Sequence, residues 1–304
     1  VRVLVATSGD TGSAVANGFL GVQGVEVIIL FPKGKVSPLQ EKQFTTLGQN
    51  ITALEVEGVF DDCQTLVKQA FLDPELNQKL LLTSANSINI ARWIPQCLYY
   101  FYAYSRLPKV GKNVVFAIPS GNFGNIGAGI LAQRMGLPID RFVAATNVNK
   151  VVPEYLHGFP FQAKPSVPTV SNSMDVGNPS NFPRLQALYG GDEELFREHV
   201  KGYFYSDEQT VKAIQAVQPF GYTLDPHGAV GYLGLKDFLA ENSGYVGVFL
   251  ETAHPGKFRD VVEEALDEKL VLPERLAAFL KGEKQVIPMG KSFEEFKGFL
   301  ERLD

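Results

Sequence analysis

VVFAIPSGNFGNIGAGI, residues Val114 to Ile130, changes character twice within its length. Its opening is a continuous apolar run, the pattern of a parallel strand buried on both faces. Pro119 and Ser120 end that strand, Gly121-Asn122-Phe123-Gly124-Asn125 turns the chain, and the apolar, glycine-spaced run from Ile126 to Met135 reads as a helix. A strand, a glycine-rich turn and a helix start, in that order, can form an anion site. The first amides of a helix lack intrahelical acceptors, the dipole adds positive potential, and glycine lets an oxygen come close. The turn holds no lysine or arginine, so an anion here would be held mostly by amides and dipole. Two other readings stay open on these residues. Gly127, Gly129 and Ala132 fit G-x-G-x-x-A, but the first glycine falls inside the helix, and the next strand ends at Thr146-Asn147 rather than at an acid suited to a ribose. The turn could also be a tight connection with no ligand.

The rest of the chain gives this stretch its setting. Its 304 residues, 45% of them hydrophobic, suffice for one large or two ordinary domains. Net charge is −5, with 28 basic residues scattered among 33 acidic ones and no basic stripe, so nucleic acid is not an expected partner. No apolar run approaches the roughly 20 residues that span a bilayer, and no signal peptide is evident, so a cytoplasmic protein with no membrane role is expected. The two cysteines, Cys63 and Cys97, are read as buried reduced thiols, and the four histidines have no metal-binding spacing, so no metal is expected.

Residues 1–90 alternate strand and helix and are expected to form one parallel α/β unit. The first strand runs into Thr7-Ser8-Gly9-Asp10-Thr11-Gly12, which offers hydroxyls, amides and a carboxylate at a helix start. That turn suits a small anion such as an α-carboxylate; an ordinary N-cap by Ser8, Asp10 or Thr11 explains it equally well. Pro32-Lys33-Gly34-Lys35 is a basic turn. A helix from Ile90 to Tyr104, apolar on most sides, is read as buried, and Arg92 near its start then needs an anionic partner. Asn86 and Ser87 add neutral donors beside it, a second anion site unless Arg92 is a surface residue or a structural ion pair. The long segment Ser166 to Arg184 has little period but enough apolar content to be ordered. A strand over Val246 to Leu250 ends at Glu251-Thr252-Ala253-His254, where open α/β sheets place ligands, or where a helix cap begins. From Glu263 to Asp304 the chain is charged and amphipathic and shows no chemistry. Nothing resembles a nucleophile elbow or a P-loop.

Five segments taken together resemble the threonine synthase family: ATSGDTGSAVANGF (6–19), FPKGKVSPLQEKQFTTLG (31–48), SANSINIARWIPQ (84–96), PSGNFGNIGAG (119–129) and ETAHPGKF (251–258). The resemblance implies an α/β protein with two open parallel-sheet αβα domains of the fold type II pyridoxal-phosphate class, like the tryptophan synthase β chain, with the cofactor in the interdomain cleft. It implies a smaller substrate domain over 1–90 and a larger cofactor domain over 91–304. It implies conversion of O-phospho-L-homoserine and water to L-threonine and phosphate by γ-elimination and β-addition, with pyridoxal 5′-phosphate doing the electron chemistry. Gly121, Asn122, Phe123, Gly124 and Asn125 would hold the cofactor phosphate, Thr252 the pyridine nitrogen, and Asp10 would lie near the 3′-oxygen. Thr7, Ser8 and Thr11 would hold the substrate carboxylate, and Asn86, Ser87 and Arg92, joined by Lys33 or Lys35, the substrate phosphate. The family's Schiff-base lysine lies upstream of the strand at which this chain opens. The expectation is therefore a chain lacking the N-terminal part of its larger domain, with the catalytic lysine before residue 1. Two alternatives accompany it: a phospholyase or dehydratase of the same fold, and a lysine-less module that only binds ligands.

Overall fold

A computed structural model describes residues 1–86, 89–108 and 111–303. Among them the strands are β1 (Arg2–Ala6), β2 (Glu26–Pro32), β3 (Ile51–Val56), β4 (Leu82–Ser84), β5 (Asn113–Pro119), β6 (Arg141–Thr146), β7 (Val200–Phe204), β8 (Tyr245–Phe249) and β9 (Ile287–Met289). The helices up to the glycine turn are α1 (Asp10–Phe19), α2 (Pro38–Thr45), α3 (Phe60–Leu72), α4 (Pro74–Lys79) and α5 (Trp93–Arg106). Beyond it come α6 (Gly124–Arg134), α7 (Val151–Leu156), α8 (Phe182–Leu188), α9 (Glu193–His199), α10 (Asp207–Val217), α11 (Pro226–Glu241), α12 (Arg259–Leu266), α13 (Glu274–Leu280) and α14 (Phe293–Glu301). The chain divides into two compact units, Val1–Asn89 with Val271–Asp304, and Ile90–Leu270.

The first unit is a parallel sheet in the order β4-β1-β2-β3-β9. Its central strands are apolar throughout because successive side chains feed opposite faces and both faces are covered. Leu4, Ala6, Ile28, Leu30, Leu54 and Val56 pack with Cys63, Leu66 and Val67 of α3 and with Phe296 and Leu300 of α14. Val3, Val5, Val27, Ile29 and Phe31 pack on the other side with Ala16 of α1 and Phe44 of α2. The sequence reading ended this unit at residue 90 and left the tail with the second domain. Here the tail returns: β9 pairs with β3, with Val56 opposite Met289, and α14 covers the α3 face. Arg2 locks it, its buried guanidinium donating to the carbonyls of Leu300 and Leu303, each at 2.8 Å, and to Glu26 at 2.8 Å.

The second unit is a four-stranded parallel sheet in the order β7-β6-β5-β8. β5 again splits its side chains: Val114, Phe116 and Ile118 meet α5 and α6, whereas Val115 and Ala117 meet Val230 and Phe238 of α11. The glycine spacing of α6 serves its contact with α5. A Cβ on Gly127 would lie 2.6 Å from the Trp93 ring, and one on Gly129 would lie 2.6 Å from the Tyr100 ring and 2.8 Å from Phe142. The sequence reading expected α5, apolar on most sides, to be buried. It buries Trp93, Cys97 and Tyr100, while Ile94, Leu98 and Tyr102, four residues apart on another face, are exposed.

Candidate functional site

In the second unit the sheet order fixes where a ligand belongs. From β5 the chain crosses to β6 and then β7 on one side, and later returns to lay β8 on the other. The carboxyl ends of β5 and β8 therefore flank a topological switch point, the place where open α/β sheets bind ligands. The two loops leaving those ends are Ser120–Phe123 and Leu250–Thr252, the stretches that sequence reasoning singled out.

The first of these loops is an amide cradle. Phe123, buried, takes φ = 59°, a left-handed conformation that turns the chain sharply into α6. No side chain caps that helix, and the amides of Gly121 to Asn125 donate to no other group among the described residues. Neighbours fix the loop through its acceptors. Asn181 donates to the Asn122 carbonyl (3.0 Å), Ser180 to Asn122 Oδ1 (3.2 Å), and the Tyr100 hydroxyl lies 2.9 Å from the Asn125 carbonyl and 2.8 Å from its Oδ1. Above Gly121 sits backbone: a Cβ there would be 2.8 Å from the Ser173 carbonyl oxygen and 2.9 Å from Met174 Cα. That backbone belongs to the long unperiodic segment, which is ordered by polar contacts. Asp175 accepts from the Thr169 hydroxyl (2.7 Å) and the Asn147 amide group (2.9 Å), so the residue at the end of β6 anchors the loop. Unused amides, a helix dipole, glycine clearance and no acidic side chain within the turn are the donor set a phosphate group requires.

At the end of β8, Thr252 is exposed and its hydroxyl has no partner among the described residues. Glu251 beside it turns inward. Its Oε1 accepts from the Asp225 amide (2.8 Å), and its Oε2 is buried without a hydrogen-bond donor among the described residues. Burial, then the neighbouring Asp225 charge, pushes its carboxyl up to about 9. Asp225 caps α11 through the amides of His227 (2.8 Å) and Gly228 (3.3 Å) and lies 2.6 Å from His227 Nδ1. Burial alone would raise Asp225, but His227 outweighs it and holds the carboxyl below its ordinary value. The sequence reading quoted Glu251 only as part of the strand end and assigned no role to Asp225 or His227, which meet it through the fold and not through spacing.

Arg92, at the turn into α5, is half-buried, and its guanidinium has no ion pair or hydrogen bond among the described residues. Burial lowers its pKa. A partly desolvated cation without an anion is the state of a residue awaiting one.

The remaining candidates lie in the first unit, at the carboxyl ends of β1, β2 and β4. Thr7 is buried and its hydroxyl is spent on the turn itself, accepting from the amides of Gly9 (2.9 Å) and Gly12 (2.8 Å). The N-cap alternative for the neighbours does not occur: Gly9 stands at the N-cap of α1, the first-turn amide of Gly12 is taken by Thr7, and the hydroxyls of Ser8 and Thr11 have no partner among the described residues. Asp10 accepts from Gln40 Nε2 (3.0 Å), a residue the sequence did not flag; fully buried Gln40 fills the space over Gly9, which has φ = 141°. Asn86 is buried and hydrogen-bonds the Ala6 backbone in both directions, tying β4 to the end of β1. Lys33 is exposed and pairs with Glu57 (3.2 Å), while Lys35 is exposed and unpaired among the described residues. Ser87 lies outside the described residues. Among those described, no group of His, Cys, Asp and Glu could hold a metal ion, and no helix is long and apolar enough to cross a membrane.

Two parallel-sheet units, one carrying an amide cradle at its switch point, define an α/β protein with a site suited to a phosphorylated ligand. The comparisons narrow the class. Residues 1–249 match the family of pyridoxal-phosphate dependent enzymes, and residues 228–300 the C-terminal domain of threonine synthase. The chain is 50% identical to the threonine synthase of Escherichia coli over 284 residues, covering 91% of this chain and 64% of that protein. It is 48% identical to that of Serratia marcescens, covering 99% of this chain and 70% of the relative. The crystal structure of the E. coli protein superposes with a TM-score of 0.93 at 45% identity, covering 100% of this chain and 71% of the other. Maize serine racemase, at 15% identity and a TM-score of 0.60, shares the fold alone. The chain thus spans about two thirds of the length of its curated relatives, and it belongs to the threonine synthase family of pyridoxal-phosphate-dependent enzymes.

Proposed function

We propose that this chain carries the cofactor- and substrate-binding apparatus of a threonine synthase, which converts O-phospho-L-homoserine and water to L-threonine and phosphate. The observation that carries the reading is the row of unused amides from Gly121 to Asn125, opposite Thr252 at the sheet's switch point. In this reading those amides hold the 5′-phosphate of pyridoxal phosphate, and the Thr252 hydroxyl donates to the pyridine nitrogen. A neutral hydroxyl leaves that nitrogen unprotonated, which moderates the ring as an acceptor of electrons. Bound there, pyridoxal phosphate supplies delocalisation of the charge that builds on substrate carbon as protons leave.

The chain's own groups bind and orient. Ser8 and Thr11 present free hydroxyls to the substrate α-carboxylate, on a turn that Thr7 braces from beneath. Asp10, which accepts from Gln40, is the group this reading assigns to the cofactor's 3′-oxygen. Arg92 takes the substrate phosphate, which separates the group that leaves from the group that stays. Lys33 and Lys35 add long-range attraction and Ser87 a donor, while Asn86, bonded to the Ala6 backbone, ties β4 to the end of β1. Arg92→Ala tests the assignment. Removing a charge-assisted contact worth about 1.5–3 kcal/mol should weaken O-phospho-L-homoserine binding by roughly ten- to a hundredfold in calorimetry, with pyridoxal phosphate affinity unchanged. Equal loss of both ligands would make Arg92 structural.

A further inference from the structure

The Glu251–Asp225–His227 cluster lies outside every role assigned above, and its proton inventory follows from geometry. The Ser173 amide donates to His227 Nε2 at 3.2 Å; an amide only donates, so Nε2 bears no proton. The proton of the neutral ring is then on Nδ1, facing Asp225 Oδ1 at 2.6 Å. Asp225 collects this N–H and the amides of His227 and Gly228, so it is the ionised member. Glu251 Oε2, buried and without a donor, is relieved of its orphan state if it carries a proton and gives it to Asp225. The series therefore runs from a protonated acid at the end of β8, through a carboxylate at the cap of α11 and a neutral imidazole, to the Ser173 amide. Tyr222, before α11, and Asp175 are the other titratable groups that interact with this cluster.

The far end of the series matters. Ser173 and Met174 are the backbone that would meet a Cβ on Gly121 at 2.8 and 2.9 Å, so their position sets the headroom of the amide cradle. The near end adjoins Thr252. We propose that Glu251, Asp225 and His227 are positioning residues that hold the Ser173–Met174 backbone over Gly121 and thereby set the cradle's affinity for a phosphate group. The inference rests on the cradle reading given above, and it extends that reading from the loop to the buried groups that hold it in place.

The two amide variants of His227 separate the ends of the imidazole. His227→Asn keeps a donor for Asp225 and removes the acceptor for Ser173; His227→Gln restores an acceptor near the Nε2 position. The probes are pyridoxamine 5′-phosphate and pyridoxamine, which form no imine with lysine, followed through Trp93, the chain's one tryptophan, whose ring packs against Gly127. Far-UV circular dichroism confirms that each variant is folded. His227→Asn should bind the phosphorylated probe about tenfold more weakly and leave pyridoxamine binding unchanged, and His227→Gln should recover to within about threefold. An unchanged affinity in His227→Asn, or a parallel loss for both probes, overturns the proposal. A native protein that does not prefer the phosphorylated probe at all overturns the cradle reading as well, which distinguishes the two failures.

Discussion

Glu251 makes the clearest quantitative prediction. Its folded-state carboxyl is pushed up to about 9 from an ordinary value of 4.5, by burial first and by Asp225 second. A raised acid stabilises the fold fully below its unfolded value, and that contribution is lost as pH climbs toward the folded one. Between pH 6 and pH 8 the native state holds a proton that the unfolded chain has released. Each pH unit then costs on the order of 1 kcal/mol, about 2–3 kcal/mol over the interval. Glu251→Gln keeps the shape and a donor toward Asp225 but has nothing to titrate. Urea unfolding at pH 6, 7 and 8, followed by Trp93 fluorescence so that the second unit is reported, should show the variant gaining on the native protein by about 2–3 kcal/mol across the interval. Other ionisable groups are common to both proteins and cancel in the difference. A constant difference at the three pH values would mean that Glu251 is ionised in the fold, and the proton inventory that leads to His227 and Ser173 would be wrong.

Two further outcomes test the frame around the sites. Gly121→Ala sets a methyl group against backbone at 2.8 and 2.9 Å, atoms that move less readily than a side chain; the variant should lose about 1–3 kcal/mol in urea unfolding and bind pyridoxamine 5′-phosphate more weakly. Arg2→Ala strips the carbonyls of Leu300 and Leu303 of their donor, so it should cost about 2–4 kcal/mol and raise hydrogen exchange in Phe293–Glu301 before the central strands respond.

The local signals were strong where one segment contains both the element and its reason. The apolar strands, the glycine turn, the helix after it and the isolated arginine at 92 are all readable, because backbone geometry and desolvation are properties of a few adjacent residues. Contacts between distant segments were not. β9 has three residues, one of them proline, and pairs with a strand more than two hundred residues earlier, so no short-range pattern could assign the tail to the first unit. Thr7 and Asn86 read as donors for a ligand because Thr and Asn at strand ends suit that role; their actual partners, the amides of Gly9 and Gly12 and the backbone of Ala6, depend on how the turns close. Glu251 and Asp225 are 26 residues apart and meet only because β8 lies alongside α11.

The two anion sites are built from different donors, and the difference suits what each is proposed to hold. Five amides on a braced loop are neutral, fixed and numerous. They bind a phosphate without a counter-charge that must stay buried when the ligand is absent, and their rigidity spares the ordering cost of binding. Such a site fits a cofactor that remains through many turnovers. Arg92 is the reverse: one charged, half-buried side chain, unpaired among the described residues. It attracts a dianion strongly, and partial hydration limits what it costs to stand alone after phosphate leaves. A phosphate bound by the cradle is retained by geometry, while one bound by Arg92 is drawn in by charge and exchanges with water, as a leaving group must.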